Sequence, residues 1–517
     1  MPRVALLLSL ALVAAACADA WVSDSARQHA AGTRAVALPA TTTSVEPVPA
    51  APASYRAAAC PMALDAEDAD RVRCGYLDVA VDRADPDGPQ AAVAVAIIAS
   101  SSDDPRPDPV VHLHGGPGGL ALSDYLEWVF PEHPMLADRD LILVDQRGSG
   151  WSTPSLNCPT AEESTTVVTA LAGCADDLED EGIDLEHFGT DDIAADLVDL
   201  RQVLEIDQWN LYGVSYGTRV ALTVLDLDAD GVRAVVLDSP YPPVVEAYAE
   251  QVPNGRTAIE ALLAGCAADP RCGPAFGDLR QPLASLLTTL ADDPVPTTVG
   301  DDETQPQLLV DDTVLASALF SALYDRFLIP AVPLAVQTAV DGDLAGALDL
   351  LGDAGGLQAP RQDSDEEYES LFESELGFWA PECAEEIGLT DLPTIIDGID
   401  TTSALEVALL DEVQESFTVC DRLDVEPADP ATQRAVLSAV PTLILVGQFD
   451  PITPPAWADV TAESLSAAAI AEVPGSGHAP GYEACPRQAI ATFIADLALP
   501  PAAPCLAEQL ALPFDLG

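Results

Sequence analysis

The sequence predicts an α/β protein in which a mostly parallel sheet, flanked by helices, is split by a large helical insertion. Three observations predict it. Short apolar runs alternate with amphipathic stretches from residue 74 to about residue 240, the pattern of strands joined by crossover helices. From Tyr241 to about Leu437 that alternation stops, and the chain reads as short helices broken by proline, glycine and acidic loops. After Pro441 strand-like runs return, so two separated stretches build one sheet.

The elements follow in order. Residues 76–81 and 93–98 flank Asp85-Pro86-Asp87-Gly88, turn chemistry that makes them a hairpin. Residues 109–114 form a strand running into glycine, and residues 141–145 are a short run of the buried parallel kind. Residues 191–206 carry Ile193, Leu197, Leu200 and Leu204 on one stripe, opened by Asp191 and Asp192, and read as a helix. A strand at 209–212, a helix at 218–227 and a strand at 233–237 complete the first stretch. Strands at 442–446 and 470–473 and a helix at 487–497 make the second. The expected organisation is a signal at 1–20, a disordered Ala/Pro/Thr tether at 21–58, core at 59–240, helical cap at 241–437 and core again at 438–517.

In the first twenty residues one arginine precedes a run, Val4 to Ala16, that is apolar apart from Ser9 and too short to span a bilayer, so they read as an export signal. Ala18-Asp19-Ala20 suits an ordinary signal peptidase. Alternatively, the three alanines before Cys17 resemble a lipobox, with Ala14 where leucine is usual, and Cys17 would carry the lipid. Eleven cysteines are an odd count for an exported chain, and setting Cys17 aside leaves ten for five disulfides. Cys60 with Cys74, Cys158 with Cys174, Cys266 with Cys272 and Cys485 with Cys505 lie close in sequence. No cysteine pair has histidines at zinc spacing, so no metal is expected, and nothing calls for a cofactor.

Net charge is −64, and all 21 basic residues are arginine. Such a surface repels nucleic acid and anionic lipid, leaving a lipid anchor as the expected link to a membrane.

Gly213-Val214-Ser215-Tyr216-Gly217 fits the nucleophile elbow Gly-x-Ser-x-Gly, and it falls between a strand and a helix as that turn requires. The serine needs a base, and His478, in a glycine-rich loop after the last strand, is the best placed of six histidines. The base needs a carboxylate. Asp450 follows a strand 28 residues earlier, and Asp238, at the end of the strand after the elbow helix, is its rival. An oxyanion hole would use the N–H of Gly116, in His114-Gly115-Gly116-Pro117-Gly118-Gly119, and that of Tyr216.

Together with Asp145-Gln146-Arg147-Gly148-Ser149-Gly150 and Phe449-Asp450-Pro451-Ile452-Thr453-Pro454, these motifs resemble the α/β-hydrolase family of proline iminopeptidases and secreted bacterial tripeptidyl aminopeptidases, which includes mycobacterial cell-envelope serine proteases. The resemblance spans about residues 60 to 510. It implies Ser215 as nucleophile, Asp450 and His478 as partners, and release of short units from peptides with a free N-terminus. It also implies a role for Thr453, counted here with Glu382 and Glu385 in the substrate-binding set. The segment Ala380-Pro381-Glu382-Cys383-Ala384-Glu385 resembles a family stretch, with Pro381 where isoleucine is usual and Leu423 where tryptophan is. A Cys383–Cys420 bridge would pin Glu385, the first choice for holding the substrate ammonium, with Glu382 and Glu386 as alternatives. An esterase or lipase on the same triad is one rival reading, and a binding module without turnover is another.

Overall fold

The computed structural model describes residues 53–64, 68–123, 125–129, 133–158, 167–298, 308–352, 374–499, 506 and 513–517. The signal, Cys17, Cys505 and all of the tether before residue 53 lie outside them.

A nine-stranded sheet organises the chain. Its strands are β1 (Ser54–Ala58), β2 (Val72–Ala80), β3 (Gln90–Ile98), β4 (Val110–Leu113), β5 (Leu141–Val144), β6 (Trp209–Val214), β7 (Val232–Asp238), β10 (Thr442–Gly447) and β11 (Ala468–Val473). They lie in the order β1-β2-β3-β5-β4-β6-β7-β10-β11. The pairings from β1 to β5 across β2 and β3 are antiparallel, and those from β5 to β11 are parallel. The central strands β4, β5, β6 and β10 are buried throughout, which explains their unbroken apolar runs. Helices α1 (Thr190–Val203) and α2 (Tyr216–Asp228) pack on each other and belong to one apolar core with β6 and β7.

β1 corrects the tether, which was expected to run to residue 58. Ser54–Ala58 pairs with β2, Arg56 Nε binds Asp78 at 3.0 Å, and the Arg56 guanidinium lies 4.4 Å from the Tyr76 ring centroid. An edge strand held by main-chain bonds and one arginine needs little apolar periodicity, so it left none to read.

Between β7 and β10 the chain is mainly helical, but two expectations fail there. Two helices are long: α3 (Ala247–Ala268) has 22 residues and α6 (Ala404–Leu423) has 20. Pro253 suggested a break, yet α3 runs through it because its face is buried against α6 and α4 (Asp312–Ala322). A small antiparallel ladder, β8 (Val295–Thr297) with β9 (Leu308–Val310), was not expected. The remaining helices used below are α5 (Glu375–Pro381), α7 (Pro455–Ser464) and α8 (Ala484–Asp496).

Disulfides join Cys60 to Cys74, Cys158 to Cys174, Cys266 to Cys272 and Cys383 to Cys420. Cys485 is also disulfide-bonded. Cross-links of this number belong to an oxidising compartment and support export. Among the described residues no helix is long and apolar enough to cross a membrane, and no group of three His, Cys, Asp or Glu side chains is arranged to hold a metal.

The Asp145–Gly150 motif is a brace. Asp145 accepts from Leu122 N at 2.9 Å and Trp151 N at 3.0 Å, and Gln146 Nε2 donates to His114 O at 3.0 Å. Arg147 is buried and forks onto Asp196 of α1 at 2.6 and 2.7 Å, donating also to Val81 O and His187 O. Asp196 takes a second guanidinium from Arg83 at 2.5 Å. Arg147→Met would leave Asp196 buried with only Arg83 to neutralise it. Urea unfolding should therefore show a loss of about 3 kcal/mol, and activity measured well below the unfolding midpoint should survive.

Candidate active site

The elbow is built by the junction of β6 and α2. Ser215 stands there with φ 54° and ψ −123°, a strained conformation for a residue with a side chain. A β-carbon on Gly217 would overlap Leu113 O, so that position has no room for a side chain. Ser215 N–H donates to Asp238 O on β7 at 2.9 Å, and Thr218 Oγ1 donates back to Ser215 O at 2.5 Å. The turn after β4 closes on the serine: a β-carbon on Gly115 would stand 2.8 Å from Ser215 Cβ. Gly116, next along, has φ +106°. Tyr216 is the first residue of α2, so its N–H has no acceptor within the helix.

Asp450 and His478 are in direct contact. His478 Nδ1 donates to Asp450 Oδ2 at 2.9 Å, which would leave Nε2 to take a proton. The carboxylate is fully committed to this geometry. Oδ2 also accepts from Ser239 Oγ at 2.7 Å and Thr453 Oγ1 at 2.8 Å. Oδ1 accepts from Ile452 N at 3.1 Å and Thr453 N at 2.9 Å. Burial alone would raise this carboxyl, but the adjacent imidazole and these donors hold it below its ordinary value. Burial alone would lower His478, and the Asp450 charge and hydrogen bond overcome that and raise it. The rival, Asp238, makes no hydrogen bond to the imidazole. Its side chain instead accepts from Tyr212 Oη and Gly481 N.

Two expected site residues have other work. Thr453, counted with substrate binding, is buried, and its hydroxyl lies against Asp450 and 3.1 Å from His478 Nδ1. It orients the acid–base pair. Glu385 is occupied: Oε1 accepts from Thr190 N at 2.6 Å, and Oε2 accepts from Thr190 Oγ1 at 2.6 Å and meets Arg219 Nε at 3.2 Å. Thr190 Oγ1 in turn lies 2.8 Å from the Tyr216 hydroxyl. Glu386 pairs with Arg219 Nη1 and accepts from Ala247 N.

Glu382 differs from both. It shares one buried π-helical turn with them, Glu382–Glu386, pinned by the Cys383–Cys420 bridge. Yet among the described contacts it has phenols and no cation: Tyr241 Oη donates at 3.4 Å, and Tyr248 also hydrogen-bonds it. Burial, with Glu386 and Glu385 nearby, outweighs the attraction of Arg219 and pushes its carboxyl up to about 8. Tyr241 links this turn to the elbow, because its N–H donates to Thr218 Oγ1 at 2.7 Å.

Sequence reasoning missed Ser239 and Arg219. Ser239 has φ 59°, and its hydroxyl donates to Asp450 and accepts from Ala479 N at 2.9 Å, stitching β7 to the acid and to the histidine loop. An Asp-Ser-Pro at a strand end carries no periodic signal. Arg219 lies one helical turn beyond Ser215, and in a chain without lysine a cation inside an apolar helix was the available clue.

A parallel sheet presenting a strained serine at one strand end and a histidine–carboxylate pair at two others defines a serine hydrolase of the α/β-hydrolase fold. Residues 108–265 match the family described as alpha/beta hydrolase fold, and residues 408–505 match the one described as TAP-like protein. The chain is 27% identical to serine protease Hip1 of Mycobacterium tuberculosis over 418 residues, 74% of this chain and 76% of the relative. Carboxylesterase B of the same species is 28% identical over 235 residues, 40% of this chain and 44% of its own. The solved proline iminopeptidase of Mycobacterium smegmatis aligns over 78% of this chain and 95% of its own at 15% identity and TM-score 0.35.

Because Asp450 holds the imidazole charge up, activity that needs neutral His478 should fall as pH drops through that raised value. Asp450→Asn should lower kcat on the order of ten-thousand-fold and move the acidic limb of the kcat/KM profile to lower pH. A full pH–rate profile of the variant checks both.

Proposed function

We propose that this protein is an exported serine aminopeptidase that releases short units, tripeptides by the family resemblance, from peptides with a free N-terminus. Ser215 attacks the scissile carbonyl, and His478 takes the serine proton and later gives it to the leaving amine. Asp450 keeps the imidazole in the right tautomer, and the N–H groups of Gly116 and Tyr216 receive the oxyanion. Cys17 carries a lipid that anchors the chain to the cell envelope.

One observation carries the preference for a free amine. The turn Glu382–Glu386 buries three carboxyls and meets a single guanidinium, Arg219. Glu385 and Glu386 share that cation, while Glu382 is left protonated near neutral pH. A substrate ammonium is the missing partner: on arrival it would draw Glu382 into its ionised form, with Tyr241 and Tyr248 as polar and aromatic walls. Glu382 therefore replaces Glu385 as the amine reader, and Glu385 braces the elbow. The name of the carboxylesterase relative keeps ester hydrolysis as the competing reading.

Ser215→Ala should abolish turnover, which fixes the activity to this site. Glu382→Gln should lose roughly 2–4 kcal/mol, thirtyfold to a thousandfold, in kcat/KM on free-amine peptides, with hydrolysis of a small neutral ester nearly unchanged. Glu385→Gln should depress both substrates together. Kinetics on free-amine peptide amides, N-acetylated peptides and short-chain esters decide the matter, and a wild-type preference for N-acetylated peptides would remove the aminopeptidase assignment.

The anchor has its own test. Cys17→Ser should move the protein from the detergent phase to the aqueous phase in a detergent partition, and mapping Cys17 into a disulfide would contradict the lipid.

A further inference from the structure

Asp238 joins the serine turn to the histidine loop. Its backbone carbonyl accepts from Ser215 N at 2.9 Å, and its side-chain Oδ2 accepts from Gly481 N at 2.9 Å, three residues beyond His478. The Tyr212 hydroxyl donates to the same Oδ2 at 3.1 Å. Oδ1 is buried and has no hydrogen-bond partner among the described residues. The loop is pressed onto this carboxyl: a β-carbon on Gly481 would overlap both Asp238 Oδ2 and the Tyr212 hydroxyl. Between His478 and Gly481, Ala479 is held at φ 54°, a conformation that persists only where its surroundings enforce it. The bonds to Ser239 Oγ and Asp238 Oδ2 on either side do so.

We propose that Asp238 is a positioning residue for His478, anchoring the loop that carries the imidazole and adding a second carboxyl to the surroundings of that ring. The proposal rests on the reading of His478 as the base for Ser215. Burial dominates the Asp238 carboxyl and lifts it to about 7, against the Tyr212 and Gly481 donors and the attraction of His478. The Asp238 charge in turn adds to that of Asp450 in raising the imidazole. The other titratable groups facing this pair are Tyr212 on β6, Asp450 after β10, and Tyr324, whose ring centroid lies 5.0 Å from that of His478, while Tyr482 and Arg487 act on Tyr212 from beyond the loop. Near neutrality, pH thus sets the charge on Asp238, and that charge adjusts the basicity that Asp450 chiefly gives His478.

The test is the rate of labelling by a fluorophosphonate probe, measured against pH in the wild type and in Asp238→Asn, with Ser215→Ala as control. The asparagine oxygen can still accept from Tyr212 and Gly481, so the alkaline plateau should stay within about threefold of wild type. The acidic limb should move to lower pH by about half a unit or more. A limb that stays in place, with or without a uniform fall in rate, overturns the proposal and leaves Asp238 a structural residue. Labelling that persists in Ser215→Ala overturns the nucleophile assignment instead. Thermal melts give a second readout. A carboxyl held at about 7 keeps its proton in the folded chain, whereas the unfolded chain releases it from about pH 4, so this group's contribution to stability declines between those values. Asp238→Asn should gain Tm relative to wild type as pH rises from about 5 to about 8, and an unchanged difference counts against the proposal. Should that variant fail to fold, Tyr212→Phe keeps the carboxyl and removes one donor to its charged form. It should move the limb the same way by less, and no movement overturns the proposal.

Discussion

Arg219 ties the elbow helix to the insertion. Its guanidinium reaches from α2, four residues past Ser215, to Glu385 and Glu386, and lies 5.0 Å from the Tyr241 ring centroid. Burial alone would weaken its charge, and the two glutamates more than restore it. A cation taken this far from water must be matched by buried anions, so the turn Glu382–Glu386 is bound to stay where Arg219 is. The Cys383–Cys420 bridge fixes the same turn to α6. The serine turn and the acidic turn are thereby parts of one rigid unit, and the third carboxyl, Glu382, is carried into place by its neighbours.

The same economy appears elsewhere in a chain with 21 arginines against 85 acids. Arg147 and Arg83 converge on Asp196, and Arg139 is buried against Asp108 at 2.9 Å. Arginine suits these places because its planar fork can meet a carboxylate with two bonds and still reach backbone carbonyls. Among the described residues most of the acids have no arginine at salt-bridge distance, and those in water shape the surface field without directing the fold. The informative acids are the buried ones. Asp450, Asp238 and Glu382 share a chemical type, and their surroundings separate them: five donor contacts hold Asp450 ionised, while burial with few donors brings Asp238 to titrate near neutrality and keeps Glu382 protonated there.

The parallel core was legible because its strands are buried on both faces, so each shows as an unbroken apolar run between turn signals. Ser215, Asp450 and His478 were legible because each must follow a strand, and strand ends can be read. β1 was not, since an edge strand satisfies its backbone without an apolar code. The two long cap helices were obscured by Pro253 and by acidic loops, whose local preferences were outweighed by burial that the sequence does not display.

By itself, then, the sequence determined the parallel core of the sheet, the elbow and the Asp450–His478 pairing, because local periodicity and fixed chain order suffice for them. The tertiary structure decided how the remaining polar groups divide the work. It turned Thr453 toward Asp450 and engaged Glu385 with Thr190 and Arg219, leaving Glu382 with phenol donors and no ion pair among the described residues. It also gave the hydrogen bonds of Asp238 to Tyr212 and Gly481, leaving the direct bond to the imidazole to Asp450. Which carboxyl is ionised and which is free depends in large part on partners far along the chain, as with Thr190 and Glu385, 195 apart, or Asp238 and Gly481, 243 apart. Only the packed interior brings those partners within a hydrogen bond's reach.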